Sequence, residues 1–261
     1  MSKQVKIATR GLCKSFAGRP VLDHIDLDIM TGESHVIIGL SGAGKSVLLK
    51  CILGLIRPDA GSVFVNGENW CALSAEARLS RMRCIGVVFQ GAALFDSLPV
   101  WRNVAFVLLQ QGMAERQARA RAEEVLDWVG LPNIADKMPA ELSGGMKKRV
   151  GLARAFCHRP EIILYDEPLS GLDPVMSDVI ITLMTRLHEE HRVTSLTIAH
   201  NMNLVRKFAD RVSMLYNGKI HQQLPRDQVD QCQDPVFRQF VEGRAHGPMQ
   251  VLTEKRKGGS R

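Results

Sequence analysis

The chain contains no long apolar run. Its hydrophobic stretches are broken by charge well before the roughly 20 residues a membrane-spanning helix needs, and Met1–Lys6 holds no apolar signal core. On this reading it does not cross a membrane alone. It also lacks a C-x-x-C pair: Cys13, Cys51, Cys71, Cys84, Cys157 and Cys232 are scattered and show no metal-like spacing with histidine, so they read as reduced thiols. The 261 residues, 45% of them hydrophobic, suffice for one large domain or for one domain with a substantial insertion. A formal charge of +7 fits an anionic lipid surface or nucleic acid. Part of that excess lies in Lys255, Arg256, Lys257 and Arg261, which beside Gly258, Gly259 and Ser260 read as a solvated end.

What is present is organised around Gly39-Leu40-Ser41-Gly42-Ala43-Gly44-Lys45-Ser46, which has the form G-x-x-x-x-G-K-[ST]. Val36–Ile38 feeds it as an apolar strand, and Val47–Leu53 follows at helical spacing. Gly39, Gly42 and Gly44 let the main chain approach a polyphosphate, so that N–H groups around Ser41 and the positive end of the helix face the anion. Lys45 supplies charge to the β- and γ-phosphates, and the Ser46 hydroxyl a ligand to Mg²⁺. ATP and Mg²⁺ are therefore the expected cofactors.

Upstream, residues 5–31 read as short strands with turns at Ala17–Pro20 and Thr31–Glu33. Phe16, beside the first turn, is placed either to stack on an adenine ring or to enter the core. Downstream, Ser62–Val65 is a strand closed by Asn66-Gly67, Ser74–Met82 is helical, and Ile85–Phe89 is a buried strand that exits at Gln90. Residues 91–158 hold only helical patterns, over 99–110, 114–129 and 145–157, and read as an inserted helical subdomain. Leu94–Trp101 sets large apolar side chains in a loop that either tucks onto its own helices or meets a partner.

A second anion-presenting helix start follows: Ser143 is a natural N-cap, with Gly144 and Gly145 behind it. Ile162–Tyr165 is a buried strand ending in Asp166-Glu167. Adjacent carboxylates there can cap the next helix. Beside a phosphate loop, Asp166 reads better as the carboxylate on the Mg²⁺ side, and Glu167 as the group that orients or deprotonates the attacking water. Asp173-Pro174 opens a helix running to about residue 190. Val193–Ile198 is a further strand, and His200 at its exit is suited to contact a γ-phosphate.

In order and spacing these elements resemble the ATP-binding subunits of ABC transporters over about residues 5–223. The resemblance implies an α/β fold: a P-loop (RecA-like) ATPase core, an antiparallel β subdomain and the helical subdomain at about 91–158. Residues 224–261 form a C-terminal extension and basic tail. It implies Walker A at Gly39–Ser46, a Q-loop at Gln90 that also reaches the Mg²⁺, and Walker B at 162–166 with catalytic Glu167. It further implies a D-loop at Ser170–Asp173, a switch at His200, and a signature at 142–146 that works in trans through Ser143, Gly144 and Gly145. Met146 and Gly171 depart from the usual Gln and Ala, and neither is a phosphate ligand. The runs Gln90–Leu98, Gly145–Arg149 and Asp234–Gly243 resemble more narrowly the ATPase of the bacterial phospholipid-trafficking system that maintains outer-membrane lipid asymmetry. That likeness implies as partners a second copy, a membrane permease, a small STAS-domain protein and a periplasmic MCE lipid-binding protein, and peripheral placement on the cytoplasmic face of the inner membrane. An ABC ATPase that clamps DNA or the ribosome carries a coiled-coil insertion or tandem cassettes. The chain has neither, so no nucleic acid partner is expected.

Overall fold

The computed structural model describes residues 4–249, and the basic tail at 255–261 lies outside the described residues. Two antiparallel strands of 12 residues each, β1 (Val5–Phe16) and β2 (Arg19–Met30), open the chain. They meet at Ala17-Gly18, both with positive φ (48° and 76°), as a tight hairpin turn of matching twist requires. The expected short strands are thus two long ones, and Arg19 and Pro20 belong to β2 rather than to the turn. Register shifts between Thr9 and Leu12 and between Leu12 and Lys14 interrupt the alternation of buried side chains, which makes a continuous strand look like pieces.

The chain continues as β3 (Ser34–Ile38), α1 (Lys45–Ile52), β4 (Ala60–Val65), β5 (Glu68–Asn69), α2 (Ala75–Arg81) and β6 (Ile85–Val88). The helical segment holds α3 (Val100–Val104), α4 (Phe106–Gln110), α5 (Glu115–Trp128) and α6 (Gly144–Cys157). Next come β7 (Ile162–Asp166), α7 (Pro174–His191), β8 (Thr194–Ile198), α8 (Met202–Phe208), β9 (Arg211–Tyr216), β10 (Lys219–Pro225) and α9 (Pro235–Val241). They form a four-stranded antiparallel sheet in the order β2-β1-β4-β5 and a six-stranded sheet in the order β10-β9-β3-β8-β7-β6. In the larger sheet only β10 runs antiparallel.

Strand alternation divides the core. Ile37, Leu164 and Ile198 face Leu12, Ile25 and Leu48 between the two sheets, whereas Val36, Ile163 and Tyr165 face Phe156, Ile180 and Phe208 on the helical side. All six cysteines are free, and burial pushes the Cys51 thiol up to about 11 and that of Cys157 to about 12, as expected of inert reduced thiols.

The helix expected over 99–110 is broken at Ala105. Its first turn is tied elsewhere: Val100 N–H donates to the Lys137 carbonyl and Trp101 N–H to that of Ala135, both at 2.9 Å. The buried Asn103 amide donates to the Phe95 and Leu98 carbonyls at 3.0 and 2.8 Å and accepts from Phe95 N–H at 2.7 Å. The 94–101 segment therefore tucks in. Trp101 is buried within α3, and half-exposed Phe95 stacks on Phe106 with ring centroids 4.6 Å apart.

Beyond β10 the extension returns to its own domain. Asp234 caps α9 through Phe237 N–H at 2.8 Å, and Phe237 is fully buried. The buried Gln239 amide accepts from Met249 N–H at 2.7 Å and donates to the Arg244 carbonyl at 3.3 Å, which fixes the segment after the helix. Phe237→Ala is expected to cost about 3–5 kcal/mol of stability, measured as a lower urea midpoint; an unchanged midpoint would mean that α9 is not part of the folded unit.

Candidate nucleotide site

The site is built on strand β3, which is anchored at its base. Ser34 N–H donates to Asp210 at 2.8 Å, and buried His35 bridges Glu33 (2.7 Å) and Ser213 (2.8 Å). After Ile38 the chain swings through Gly39, whose φ is 152°; a Cβ there would sit 2.3 Å from the Leu215 carbonyl oxygen, so the position admits only glycine. α1 then starts at Lys45 with no side-chain cap and no acidic residue in its first turn. Its leading N–H groups are left for an anion. Ser41 and Gly42 form the exposed rim of the loop, and Lys45 lies buried beneath them. The Lys45 ammonium donates to the carbonyls of Gly39 (2.8 Å) and Leu40 (3.0 Å), closing the loop on itself. Burial lowers its pKa below the usual lysine range, against the opposing pull of Glu167 and Asp166.

Opposite the loop, Ser46 Oγ donates to Asp166 Oδ1 at 3.0 Å. A hydroxyl and a carboxylate held together at the end of a strand are the hard oxygen donors that Mg²⁺ takes. Glu167 follows with φ 50°, rare for a side chain of its size and costing on the order of 1–3 kcal/mol. That turn carries its carboxylate off the strand to within 2.5 Å of His200 Nδ1, while its N–H donates to the Ile198 carbonyl at 3.0 Å. The two side chains line a cleft of about 190 Å³ with Ser170 and Asn201, and His200 remains mostly exposed.

Gln90 is placed one step away. Its Nε2 donates to Ser170 Oγ at 3.0 Å, and among the described residues it makes no hydrogen bond to Ser46 or Asp166. Asp173 accepts from Met176 N–H at 2.9 Å, capping α7. Ser143 accepts from Met146 N–H at 3.3 Å, capping α6 with Gly144 and Gly145 in its first turn. Among the described residues no hydrogen bond joins this helix start to the phosphate loop. Phe16 is 45% exposed and lies under the Lys14 ammonium, 5.4 Å from its ring centroid, so it is not a core residue. Two side chains that the sequence reading passed over, Lys148 and Arg154 on α6, bond to the Gln90–Ala93 main chain. The one available signal was a cation on an otherwise apolar helix face. Cys13 also meets the adjacent pair Asp23 and His24 across the hairpin. Asp23, though, is engaged by both His24 (2.6 Å) and Lys219 (3.2 Å).

The family model described as ABC transporter matches residues 22–170, from β2 through the glycine loop and α6 to the Asp166-Glu167 strand end. The chain belongs to the ABC transporter family. It is a nucleotide-binding, ATP-hydrolysing subunit, with the α/β architecture expected. It is 40% identical to the probable ribonucleotide transport ATP-binding protein mkl of Mycobacterium leprae, covering 98% of this chain and 74% of that one. It is 38% identical to the chloroplastic protein TRIGALACTOSYLDIACYLGLYCEROL 3 of Arabidopsis thaliana, over 94% of this chain and 76% of that one. Among solved structures it is similar to the ATP-binding cassette MJ0796, a dimer in a post-hydrolysis state bound to ADP and Pi, with TM-score 0.78, 31% identity and coverage of 84% and 98%.

In this ABC ATPase Gly39 in the loop and Gly144 at the start of α6 differ in kind. Gly39→Ala is expected to lose at least tenfold in affinity for a fluorescent ATP analogue, because its Cβ meets main-chain oxygen. Gly144→Ala, whose Cβ meets nothing within 4 Å, is expected to keep its melting temperature and its analogue affinity as an isolated chain. Equal analogue affinity in the two variants would show that the loop can rearrange.

Proposed function

We propose that two copies of this ABC ATPase close head to tail on ATP, the loop 39–46 of one copy and Ser143–Gly145 of the other facing the same nucleotide, and drive a membrane permease that moves phospholipid. The carrying observation is the pair of helix starts in one chain, α1 uncapped and α6 glycine-opened, with no hydrogen bond between them among the described residues. Each offers half of an anion site, and two-fold symmetry satisfies both at once. The dimeric form of MJ0796 supports this reading.

Within one site Lys45 exchanges its loop carbonyls for the β- and γ-phosphate oxygens. Ser46, Asp166 and Gln90 would hold Mg²⁺, which when bound neutralises charge on the phosphates. Glu167, aimed by its left-handed turn, orients the attacking water and takes its proton, and His200 holds Glu167 in place while facing the γ-phosphate. Phe16, exposed at the β1–β2 turn, would stack on the adenine ring. Loss of the γ-phosphate removes what bridges the two copies, and the pair reopens.

For the permease, an apolar groove of about 480 Å³ lies between α2 and α4, lined by Leu79, Met82, Phe106 and Val107, with Leu79 70% exposed. It suits an amphipathic segment of a membrane partner. Among the described residues no helix is long and apolar enough to cross a membrane, so transport needs that partner. Phospholipid is favoured by the Gln90–Leu98 and Asp234–Gly243 runs and by the relative whose name carries that of a glycolipid. STAS-domain and MCE lipid-binding subunits would complete that assembly on the cytoplasmic and periplasmic sides. The relatives named for ribonucleotide and methionine transport mark the competing cargoes.

Glu167→Gln is expected to keep ATP binding, cut turnover by at least a hundredfold and accumulate as an ATP-bound dimer on gel filtration; near-normal hydrolysis would remove Glu167 from its role. In mixed dimers, one Ser143→Arg copy should silence the site that uses the other copy's loop, and a dilute monomer at full rate would refute the shared site. Leu79→Glu should abolish co-purification with the permease while the isolated ATPase keeps its rate. Phospholipid bound to the permease of the wild-type complex supports the cargo, whereas bound nucleotide or methionine there overturns it.

A further inference from the structure

The segment after β6 is held in a conformation it would not adopt alone. Ala92 and Ala93 both lie in the left-handed region, with φ 60° and 48°, and alanine has no polar side chain to stabilise itself there as asparagine or aspartate does. The restraint comes from α6. The Arg154 guanidinium donates to the carbonyls of Ala92 and Ala93, both at 2.6 Å, and the Lys148 ammonium donates to the carbonyl of Gln90. Between them, Gly151 faces the buried Ala92 closely enough that a Cβ there would lie 3.5 Å from the Ala92 methyl. Residues 148, 151 and 154 follow at intervals of three, one stripe along the helix.

These cations have no carboxylate partner among the described residues. A buried ammonium and a half-buried guanidinium spent wholly on main-chain carbonyls cost desolvation that apolar side chains would not. What they supply instead is fixed geometry: burial pulls both pKa values down, yet each makes directed bonds to the same few residues. The chain of contacts then runs on. Gln90 Nε2 reaches Ser170, which follows Glu167 by one turn. At the other end, Lys148 stands little more than one helical turn from Ser143.

We propose that Lys148 and Arg154 are positioning residues that clamp Gln90–Ala93 to the helix carrying Ser143–Gly145, so that the approach of Gln90 to its own nucleotide and the presentation of the signature to the partner's nucleotide are a single rigid-body movement. This rests on the role given to Gln90 above.

Steady-state ATP hydrolysis by the purified full-length chain tests it. Arg154→Gln and Lys148→Met should each lower kcat roughly 10- to 100-fold, the scale on which a small misplacement acts, with KM for ATP nearly unchanged because the phosphate loop is untouched. Lys148→Arg, which keeps a donor to the Gln90 carbonyl, should restore most of the rate. The double variant Gln90→Ala/Arg154→Gln should be no slower than Gln90→Ala alone, since both act through one group. If Gln90→Ala is slow but the two losses multiply, or if both cation variants turn over normally, the clamp is wrong and the role of Gln90 stands. If Gln90→Ala is itself as fast as wild type, the role of Gln90 falls and the clamp with it. Should Arg154→Gln fail to melt cooperatively, Lys148→Met with its Lys148→Arg rescue and the cycle Gln90→Ala/Lys148→Met decide in its place.

Discussion

The carboxyl ends of β3, β8 and β7 are held level by two main-chain hydrogen bonds: Ala199 N–H to the Ile37 carbonyl at 3.1 Å, and Glu167 N–H to the Ile198 carbonyl at 3.0 Å. Everything at the nucleotide site hangs from that edge. In register, Ile37 pairs with Ile198 and Ile198 with Asp166, so the phosphate loop, the Asp166-Glu167 pair and His200 leave the sheet side by side. A slip of one residue in any of these strands would exchange the side chains it sends to its two packed faces. Because all three strands are buried on both faces, with Leu12, Leu48 and Ile25 on one side and Phe156, Ile180 and Phe208 on the other, the slip is strongly resisted.

On that edge the charges are arranged before any nucleotide arrives. Lys45 is buried and satisfied by its own loop, and Ser46 is already bonded to Asp166. Glu167 and His200 hold each other. In the proposed binding mode phosphate would replace the carbonyl partners of Lys45 rather than order a free side chain, which keeps the entropic cost of binding low. The left-handed φ at Glu167 belongs to the same arrangement, since with it the carboxylate lies 2.5 Å from His200.

Helix α6 joins the two parts of the molecule. Its first turn carries Gly144 and Gly145, its middle binds Gln90–Ala93, and its last turns press on β6, where a Cβ at Gly86 would come 2.4 Å from the Ala155 carbonyl. The helical segment is therefore levered from within the ATPase core rather than tethered to it by a loop. Asn103 and the Val100–Lys137 and Trp101–Ala135 bonds make that segment a unit in its own right.

The sequence by itself determined the strand–loop–helix at Gly39–Ser46, the buried strands at 85–88, 162–166 and 194–198, the capped starts at Ser143 and Asp173, and the placing of Asp166, Glu167 and His200 at the strand exits. These are local matters: an apolar run of strand length, glycines at a turn and a capping side chain act within a few residues. The bulged register of β1 and β2, the break at Ala105, the burial of Trp101 and the return of α9 to its own domain were decided by tertiary contacts, because pairing across a sheet and bonds such as Asn103 to Phe95 depend on residues brought near only by folding. The placing of Lys148 and Arg154 on the Gln90–Ala93 carbonyls was decided in the same way. Main-chain acceptors in a left-handed turn leave no mark in the side-chain sequence.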